Sequence, residues 1–189
     1  MKLGYGGDAV RAFVAIPIPA PLAEELADYA AETAGALGGR AVPSANLHVT
    51  VHFLGSVDDA EEEPLRAALA PACATVAPFT VRLAGAALAP PRRPRMIWAR
   101  LDAPPELAGL AGAVAVAAGP FAPGAREPRT ASPHVTLARL RRPPPRGAGL
   151  PSLAAAGAEI AVAACALVRS DLGRDGARYT TLAELPLGG

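Results

Sequence analysis

The sequence predicts an α+β fold with mainly antiparallel sheets. Short apolar segments with a two-residue alternation, typical of half-buried strands, are spread along the whole chain of 189 residues. Helical stripes separate only some of these segments, so the pattern lacks the strict alternation of a parallel, doubly wound sheet. A repeat is the third observation, because HVTVHFLG at 48–55 returns as HVTLARLR at 134–141. Two copies of one strand predict two similar lobes, each with one such strand.

Prolines, glycines and acidic residues mark the ends of the predicted elements. Pro17 stops the first strand, Pro21 suits the first turn of a helix, and the glycines at 38–39 end that helix. Acidic residues at 58–63 favour a helix N-terminus, and Pro71 predicts a kink or an early end in that helix. In chain order, the predicted elements are a strand at 11–16, a helix at 21–37, the first repeat strand at 46–54, a helix through Leu65, Leu69 and Val76, strands at 79–85 and 95–101, a helix through Leu107, Leu110 and Val114, the second repeat strand at 133–140, and strands at 159–169 and 178–184 joined by a turn around 173–176.

Composition and charge narrow the class of protein. The formal charge of +1 gives no global positive field of the kind expected of a non-specific nucleic-acid coat protein. No 18-residue apolar span and no signal-peptide layout are present, so a soluble, cytoplasmic protein without membrane contact is expected. Cys73 and Cys165 lack metal-ligand or redox spacing and are interpreted as small buried hydrophobes in a reducing compartment. No linker divides the chain, so 11–189 is expected to form a single domain after a flexible N-terminus at 1–10.

Each copy of the repeat places a histidine and a threonine on one face of its strand. Because successive side chains of a strand point to opposite faces, His48, Thr50 and His52 are predicted to share a face. By the same rule His134 and Thr136 share a face of the second strand, with the hydroxyl about 7 Å along from the imidazole. Two such faces brought together would form a polar site able to perform acid–base chemistry on a phosphate. One His-x-Thr alone could be a satisfied polar group at a strand end, but two copies in matching contexts favour a site.

Metal and nucleophile chemistry are less well supported by the residues. His48 and His52 have the spacing of two metal ligands on a helix, but in a strand four residues span about 13 Å, too far for one zinc ion. Neither motif contains Cys, Asp or Glu, so no metal site is expected. The serines lack a G-x-S-x-G setting, and no Walker-type phosphate loop is present. Acid–base chemistry therefore remains.

The motifs HVTVHFLG and PHVTLAR resemble the paired His-x-Thr/Ser motifs of the 2H phosphoesterase superfamily. Within it, the chain looks most like bacterial and archaeal RNA 2′,3′-cyclic phosphodiesterases, historically named 2′-5′ RNA ligases. The similarity extends to RAFVAIP, PSANLHVTVHFLG, RMIWARL and LVRSDLGRDGARYTTL, and it covers residues 11–187. It implies a bilobal fold of two pseudo-symmetric lobes, with antiparallel sheets flanked by helices and a histidine-lined central cleft. It also implies a monomer.

The resemblance gives the motif residues roles in the hydrolysis of a 2′,3′-cyclic phosphate to a 2′-phosphate. The catalytic residues would be His48, which would protonate the departing 3′ oxygen, and His134, which would deprotonate the attacking water. The residues by themselves leave open which histidine is the acid. Thr50 and Thr136 would donate to the nonbridging phosphate oxygens. No metal or cofactor is implied.

Three further positions are substrate-binding candidates, two of them by the same resemblance. Phe53 matches an aromatic of the family's first motif, and Arg139 matches the arginine that closes TLAR in the second. Alternation puts Arg139 on the opposite face from His134, so a bulge or a strand end would be needed to turn it toward the site. His52 departs from the family pattern, in which an arginine or another residue is more usual. It could line the site or pair with a neighbouring backbone group.

Several alternatives stay open at the level of sequence. The same residues could run the reverse reaction of a 2′-5′ RNA ligase or transesterase, or act on ADP-ribose cyclic phosphate or 2′-5′ oligonucleotides. A non-catalytic module that binds RNA ends is a third possibility, although it would not need a matched acid and base. Two Pro/Arg loops, at 90–95 and 141–146, are either walls for an RNA backbone or solvated surface. Trp98 and Tyr179 could stack on a base or line the core or cleft.

Overall fold

The computed structural model describes residues 9–125, 132–173 and 176–188, and it has the predicted α+β architecture. The α-helices in these ranges are α1 (Ala20–Ala36), α2 (Glu62–Ala74) and α3 (Pro105–Ala118). The strands are β1 (Ala9–Pro17), β2 (Gly39–Ala41), β3 (His48–Asp58), β4 (Phe79–Ala89), β5 (Met96–Asp102), β6 (His134–Leu140), β7 (Glu159–Val162), β8 (Ala164–Gly173) and β9 (Gly176–Pro186).

The strands form one continuous antiparallel sheet that divides into two lobes. The order is β7-β4-β5-β6-β3-β1-β8-β9, and the short β2 pairs with β6. The first lobe consists of β3, β1, β8 and β9, and the second consists of β6, β5, β4 and β7 with β2. Each lobe therefore contains one repeat strand, as the sequence predicts. The two repeat strands lie side by side at the centre of the sheet.

The junction between the lobes is narrow. In the described chain, the β3–β6 register consists of the pair Val49–Val135, whereas β3 pairs with β1 along nearly its whole length. Both valines are fully buried in the main core, on the face of the sheet that the helices cover. The histidines and threonines next to them in sequence consequently point to the other face. That uncovered face of the two repeat strands is the floor of the cleft.

The helices bury one face of the sheet and leave the cleft face open. Helix α1 lies against β2 and β6, α3 against β3, and α2 packs between α3 and the strands β8 and β9. The helices contribute fully buried leucines such as Leu26, Leu69 and Leu110, each stabilising the fold by roughly 1.5–3 kcal/mol. None of the described helices is long and apolar enough to cross a membrane. A smaller apolar cluster lies on the cleft face of the first lobe and is formed by Phe13, Ala15, Ala166 and Val168, with Tyr179 packed against it.

Most predicted elements are present, and four details differ. The single strand predicted at 159–169 is two strands, β7 and β8, which lie at opposite ends of the path through the sheet. Gly39, one of the two glycines expected only to end α1, is also the first residue of β2 and pairs with β6. Pro71 lies inside α2, which continues to Ala74. Strand β1 begins at Ala9, while most of the N-terminus predicted to be flexible, and residues 174–175 of the predicted turn, lie outside the described residues.

The two cysteines, distant in sequence, meet in the core. Cys73 on α2 and Cys165 on β8 are both buried and free, with their Sγ atoms 3.6 Å apart. The prediction that they are small buried residues is confirmed. Their contact contributes to the packing of α2 on the first lobe.

Candidate active site

The two repeat strands have the same local structure over seven residues. From the histidine onward, HVTVHFL in β3 and HVTLARL in β6 show one pattern of half-buried, buried and exposed side chains. The histidine and the threonine of each motif are half-buried on the cleft face. The two strands are identical in sequence at the first three positions and have the same pattern of burial there. The same pattern continues through the later positions, although most of the residues differ.

Each histidine is held by a backbone carbonyl two residues before it. The Nδ1 of His48 lies 2.8 Å from the Asn46 carbonyl oxygen, and the Nδ1 of His134 lies 2.9 Å from that of Ser132. A carbonyl oxygen can only accept, so Nδ1 must carry the proton in both rings. In the neutral rings Nε2 is therefore the unprotonated nitrogen, able to take a proton. Both side chains thus present the same nitrogen for proton transfer.

The antiparallel register sets each histidine opposite the threonine of the other motif. Val49 pairs with Val135, so carrying the register one residue in each direction places His48 opposite Thr136 and Thr50 opposite His134. Directly opposite residues in such a pair have Cβ atoms roughly 4.5–5.5 Å apart. A local twofold axis passes between the two valines, as it does at any antiparallel pair of this kind. The four predicted residues therefore form one polar group with approximate twofold symmetry.

A bulge at the fourth residue of each motif decides which later side chains face the cleft. Val51 has no partner of its own in the β1 register, and Leu137 has none in the β5 register. Such an extra residue shifts the alternation by one position. In β3 the shift turns His52 into the core, where it is 3% exposed and pairs in register with the buried Val14. The expectation that His52 shares a face with His48 is therefore wrong, and the structure does not bring it into the cleft.

The same shift brings Arg139 to the exposed side of β6. Buried Leu137 and Ala138 follow one another, and Arg139 then points outward, where its charge acts on the imidazole of His48. The bulge that the sequence argument required for this arginine is present. Phe53 occupies the equivalent position in β3 and is 60% exposed, with its ring centroid 6.0 Å from that of Phe13.

The surroundings of His48 are aromatic but open. Its ring lies 4.8 Å from the ring of Phe13 and 5.3 Å, edge-on, from the ring of Tyr179. Beside it is a recess of about 100 Å³, whose walls include Ala15 and Thr181. Small side chains, including Ala15, Ala166 and Thr181, form part of its wall. Asn46 closes one side, its Nδ2 donating to the Ala177 carbonyl at 2.8 Å and so fixing the turn before β3 to β9.

The ring of His134 packs against a larger aromatic side chain. Its ring stacks on the indole of Trp98, with ring centroids 3.6 Å apart and planes 15° from parallel. Trp98 pairs in register with Thr136, whereas the residue that pairs with Thr50 on the other lobe is Ala15. The local twofold axis therefore relates Trp98, beside His134, to Ala15 on the His48 side, so a large indole corresponds to a methyl group.

Burial lowers the pKa of both histidines from the usual value near 6.5. For His48, the bond to the Asn46 carbonyl opposes this effect, while the charges of His134 and Arg139 lower the pKa further. For His134, the bond to the Ser132 carbonyl partly offsets the burial. In the absence of substrate the neutral form of both rings is therefore favoured near neutral pH. An anion in the cleft would shift one of them back toward the protonated form.

Sequence reasoning missed the groups that orient the imidazoles. The carbonyls of Asn46 and Ser132 leave no side-chain signal, since any residue supplies a carbonyl. Trp98 and Tyr179 are stacking candidates in the sequence, but their contacts with the histidines depend on strand register. Among the described residues, no group of three or more His, Cys, Asp or Glu side chains is arranged to hold a metal ion.

Comparisons with known proteins agree with this fold. A family model described as LigT-like phosphoesterase matches residues 16–98. A Thermus thermophilus protein named RNA 2′,3′-cyclic phosphodiesterase is 35% identical over 188 residues, which cover 95% of this chain and 91% of the relative. A protein of the same name from Archaeoglobus fulgidus is 30% identical over 142 residues, covering 75% of this chain and 78% of the relative.

Solved structures of related proteins have the same fold. The crystal structure of TT0787 from Thermus thermophilus has a TM-score of 0.78 at 31% identity, covering 95% of this chain and 98% of that one. Escherichia coli LigT complexed with 3′-AMP has a TM-score of 0.78 at 28% identity, covering 96% and 100%. The bilobal fold and the paired His-x-Thr motifs define a 2H phosphoesterase. Within that superfamily, the chain belongs to the LigT-like phosphoesterase family.

Proposed function

We propose that this protein hydrolyses the 2′,3′-cyclic phosphate of an RNA end or a nucleotide and leaves a 2′-phosphate. The observation that carries the proposal is the pair of cleft imidazoles, each with Nδ1 bound to a carbonyl and Nε2 available for proton transfer. One ring can hold a proton while the other accepts one, which is what hydrolysis of a phosphodiester requires. The relatives named RNA 2′,3′-cyclic phosphodiesterase support the same reaction.

The proposed reaction moves two protons around one in-line displacement at phosphorus. His134 takes a proton from a water molecule, whose oxygen forms a bond to phosphorus. The bond between phosphorus and the 3′ oxygen breaks, and His48 gives its proton to that oxygen. The product has a 2′-phosphate and a 3′-hydroxyl, and exchange with solvent restores the two histidines. The proposed steps use no metal ion or cofactor.

Thr50 and Thr136 hold the phosphate between the histidines. Each hydroxyl is half-buried on the cleft face, opposite the histidine of the other motif. In this role each donates a hydrogen bond to a nonbridging oxygen, and the bond strengthens as charge develops there in the transition state. The same two bonds orient the diester so that water and the 3′ oxygen lie in line.

The difference between the two sides of the cleft supports the assignment of acid and base. The departing oxygen belongs to the ribose, so the nucleoside must lie on the side of the acid. The recess beside His48 offers room for part of a nucleoside, whereas the indole of Trp98 occupies the corresponding space beside His134. His48 is consequently the acid in this proposal, and His134 is the base that activates water.

Phe53 and Arg139 are the remaining substrate contacts in the proposal. The exposed ring of Phe53 is suited to packing against a base, and the guanidinium of Arg139 to binding a phosphate oxygen. His52 has no such role here, because it is buried on the helix-covered face. The proposed partners are RNA ends or nucleotides that carry the cyclic phosphate. The proposed location is the cytoplasm and the proposed assembly is a monomer.

The test is to identify the product. Purified protein would be incubated with a nucleoside 2′,3′-cyclic monophosphate and EDTA, and the products followed by phosphorus NMR. A 2′-phosphate formed at a rate that EDTA does not change is the expected result. A 3′-phosphate would contradict the orientation of the substrate, and activity lost on chelation would contradict the metal-free steps. Binding of RNA ends without turnover of any cyclic phosphate would favour a binding module instead.

A further inference from the structure

Eight exposed arginines are grouped at one end of the second lobe, and we call this group the arginine patch. Three separate segments of the chain contribute to it: β2, the loop between β4 and β5, and the end of β6 with the loop that follows. None of these residues is buried. The members are Arg40, Arg92, Arg93, Arg95, Arg139, Arg141, Arg142 and Arg146.

Hydrogen bonds and strand register bring the three segments together. The Leu140 amide donates to the Arg95 carbonyl at 2.8 Å, and the guanidinium of Arg95 donates to the Arg141 carbonyl at 2.5 Å. The β2–β6 register pairs Arg40 with Arg139. The two Pro/Arg loops that look separate in the sequence are thus neighbours in space.

The patch has positive charge with no carboxylate close by in sequence. The stretches 33–57, 86–101 and 132–158, which contain all its members, include no Asp or Glu. In the described chain, the salt bridges made by arginine involve Arg66 and Arg169, and neither belongs to the patch. A cluster of like charges without internal partners indicates a surface suited to a polyanion.

The patch is continuous with the candidate active site. Arg139 stands two residues beyond the bulge of β6, and its charge acts on His48. Arg40, which pairs with Arg139 in the β2–β6 register, extends toward β9. Its Nη1 lies 4.0 Å from the position that a Cβ atom on Gly176 would take. Arg139 therefore belongs both to the patch and to the surroundings of His48, and Arg40 pairs with it in register.

We infer that the arginine patch binds the single-stranded RNA that leads to the terminal cyclic phosphate. This inference rests on the proposed function. Guanidinium groups bind phosphate oxygens by charge-assisted, often bidentate hydrogen bonds, and they do so without reading the base sequence. The histidine pair acts on the last phosphate, while Arg139, Arg40 and the two loops hold the phosphates before it. The protein therefore prefers an oligonucleotide to a mononucleotide, independently of sequence.

The experiment compares two substrates that share the same reactive end. One is a nucleoside 2′,3′-cyclic monophosphate, and the other is a short RNA that ends in the same nucleoside with its cyclic phosphate. The patch variants are Arg92→Ser with Arg93→Ser, and Arg142→Ser with Arg146→Ser. The matched control, Arg66→Ser with Arg169→Ser, removes the same charge from arginines that pair with carboxylates away from the patch.

For the native chain we expect kcat/KM at low salt to be at least about tenfold higher for the RNA than for the mononucleotide. Each patch variant should lose most of this preference and keep its rate on the mononucleotide, and the control should retain both. The salt dependence for the RNA should also become shallower, by about 0.7 in the log–log slope for each phosphate that the variant no longer binds.

Other results would overturn the inference. These are an equal loss on both substrates, an equal loss in the control, or no preference for RNA in the native chain. Binding of the labelled RNA would be measured in parallel by fluorescence anisotropy. If neither substrate turns over, the proposed function fails, and a loss of affinity confined to the patch variants would still support the patch.

Discussion

Strands β3 and β6 each contribute one half of the candidate active site, a histidine and a threonine. The two halves have these groups in common and differ in the residues around them. Both supply a histidine, with Nδ1 bound to a carbonyl, and a threonine on the same face, followed by a bulge. They differ in what lies beside the histidine: the ring of His48 contacts Phe13 and Tyr179 and has a recess next to it, whereas the ring of His134 stacks on Trp98. They differ again after the bulge, where Phe53 on one strand corresponds to Arg139 on the other.

The comparison distinguishes the residues that perform the proposed proton transfers from those that decide how the substrate is oriented. In the proposed reaction, the repeated residues supply two equivalent proton-transfer groups and two equivalent donors, and nothing in them distinguishes the side of attack from the side of departure. The unrepeated neighbours supply that distinction. In the proposed reaction, the nucleoside of the substrate binds in the recess beside His48, because among the described residues Trp98 stacks on the ring at the corresponding position beside His134.

The largest effect should come from removing either histidine. We expect His48→Ala and His134→Ala each to lower kcat on a cyclic phosphate by roughly 10³-fold, the middle of the range for losing a general acid or base. The two variants should differ on a nucleoside 2′-(4-nitrophenyl) phosphate, whose leaving group needs no proton. On that ester His48→Ala should recover most of its activity and His134→Ala should not, as measured by release of nitrophenol.

His52→Ala is the matched control, since alanine is the residue that β6 carries at the equivalent position. Its kcat should stay close to that of the native chain, although its thermal stability can fall because His52 is buried. If the ester restored His134→Ala instead, acid and base would be assigned the wrong way round.

Removing a threonine should have a smaller and symmetric effect. Thr50→Val and Thr136→Val each keep the side-chain shape but delete one donor to the phosphate, and we expect kcat to fall by about 10²-fold in each. Steady-state kinetics on the cyclic mononucleotide would measure it. A strongly unequal loss would show that the phosphate lies off the local twofold axis.

Filling the recess should affect binding rather than chemistry. Thr181 is exposed at its edge, so Thr181→Trp would cover the recess without disturbing the core. We expect KM for a nucleoside cyclic phosphate to rise about tenfold, equivalent to a loss of about 1.4 kcal/mol of binding, with kcat little changed. An unchanged KM would place the nucleoside elsewhere and remove the argument for His48 as the acid.

The pH profile follows from the lowered pKa values of both histidines. The base must be neutral and the acid protonated in the free protein, and kcat/KM reports both conditions. Because burial lowers both pKa values below 6.5, the product of the two fractions should be largest below pH 6.5. Activity should therefore rise as the pH falls to this maximum and drop again when the base is protonated. A maximum well above 6.5 would mean that the free protein does not hold its histidines in this state.

The smallest predicted effect is the loss of the indole beside His134. Trp98→Ala gives the His134 side an alanine, as Ala15 does at the corresponding position on the other side. We expect kcat to fall about 2- to 10-fold, which corresponds to the free energy of one aromatic contact. The pKa of His134 should rise because water reaches its ring, and NMR titration of the imidazole would detect this. Trp98→Phe should restore most of the rate, whereas a general structural defect would not be rescued in this way.

The sequence predicts the repeat strands, the helices and the four polar residues because each depends on local pattern. Alternation and a duplicated His-x-Thr need no knowledge of distant contacts. The bulges at Val51 and Leu137 do, since they exist only relative to the neighbouring strands β1 and β5. That is why alternation alone predicts His52 in the cleft and Arg139 on the wrong face.

Other features also depend on contacts between distant segments. Strand β2 is three residues long and forms because β6 has an edge to pair with. The recess is an absence of side-chain volume where β1, β8 and β9 converge, so no single segment encodes it. The stacking of Trp98 on His134 likewise requires the register between β5 and β6.

The pair Val49–Val135 at the junction gives the cleft an approximate twofold axis. The proposed reaction at phosphorus has a twofold axis of the same kind. An in-line transfer at phosphorus passes through an arrangement with two opposite apical oxygens, one arriving and one leaving. A twofold axis through the phosphorus exchanges those two positions, and the axis between the paired valines exchanges the two histidines. In the reverse of the proposed reaction the same two histidines would act, with the roles of acid and base exchanged. A duplicated strand is an economical way to build such a site, because one folding pattern equips both ends of the reaction path.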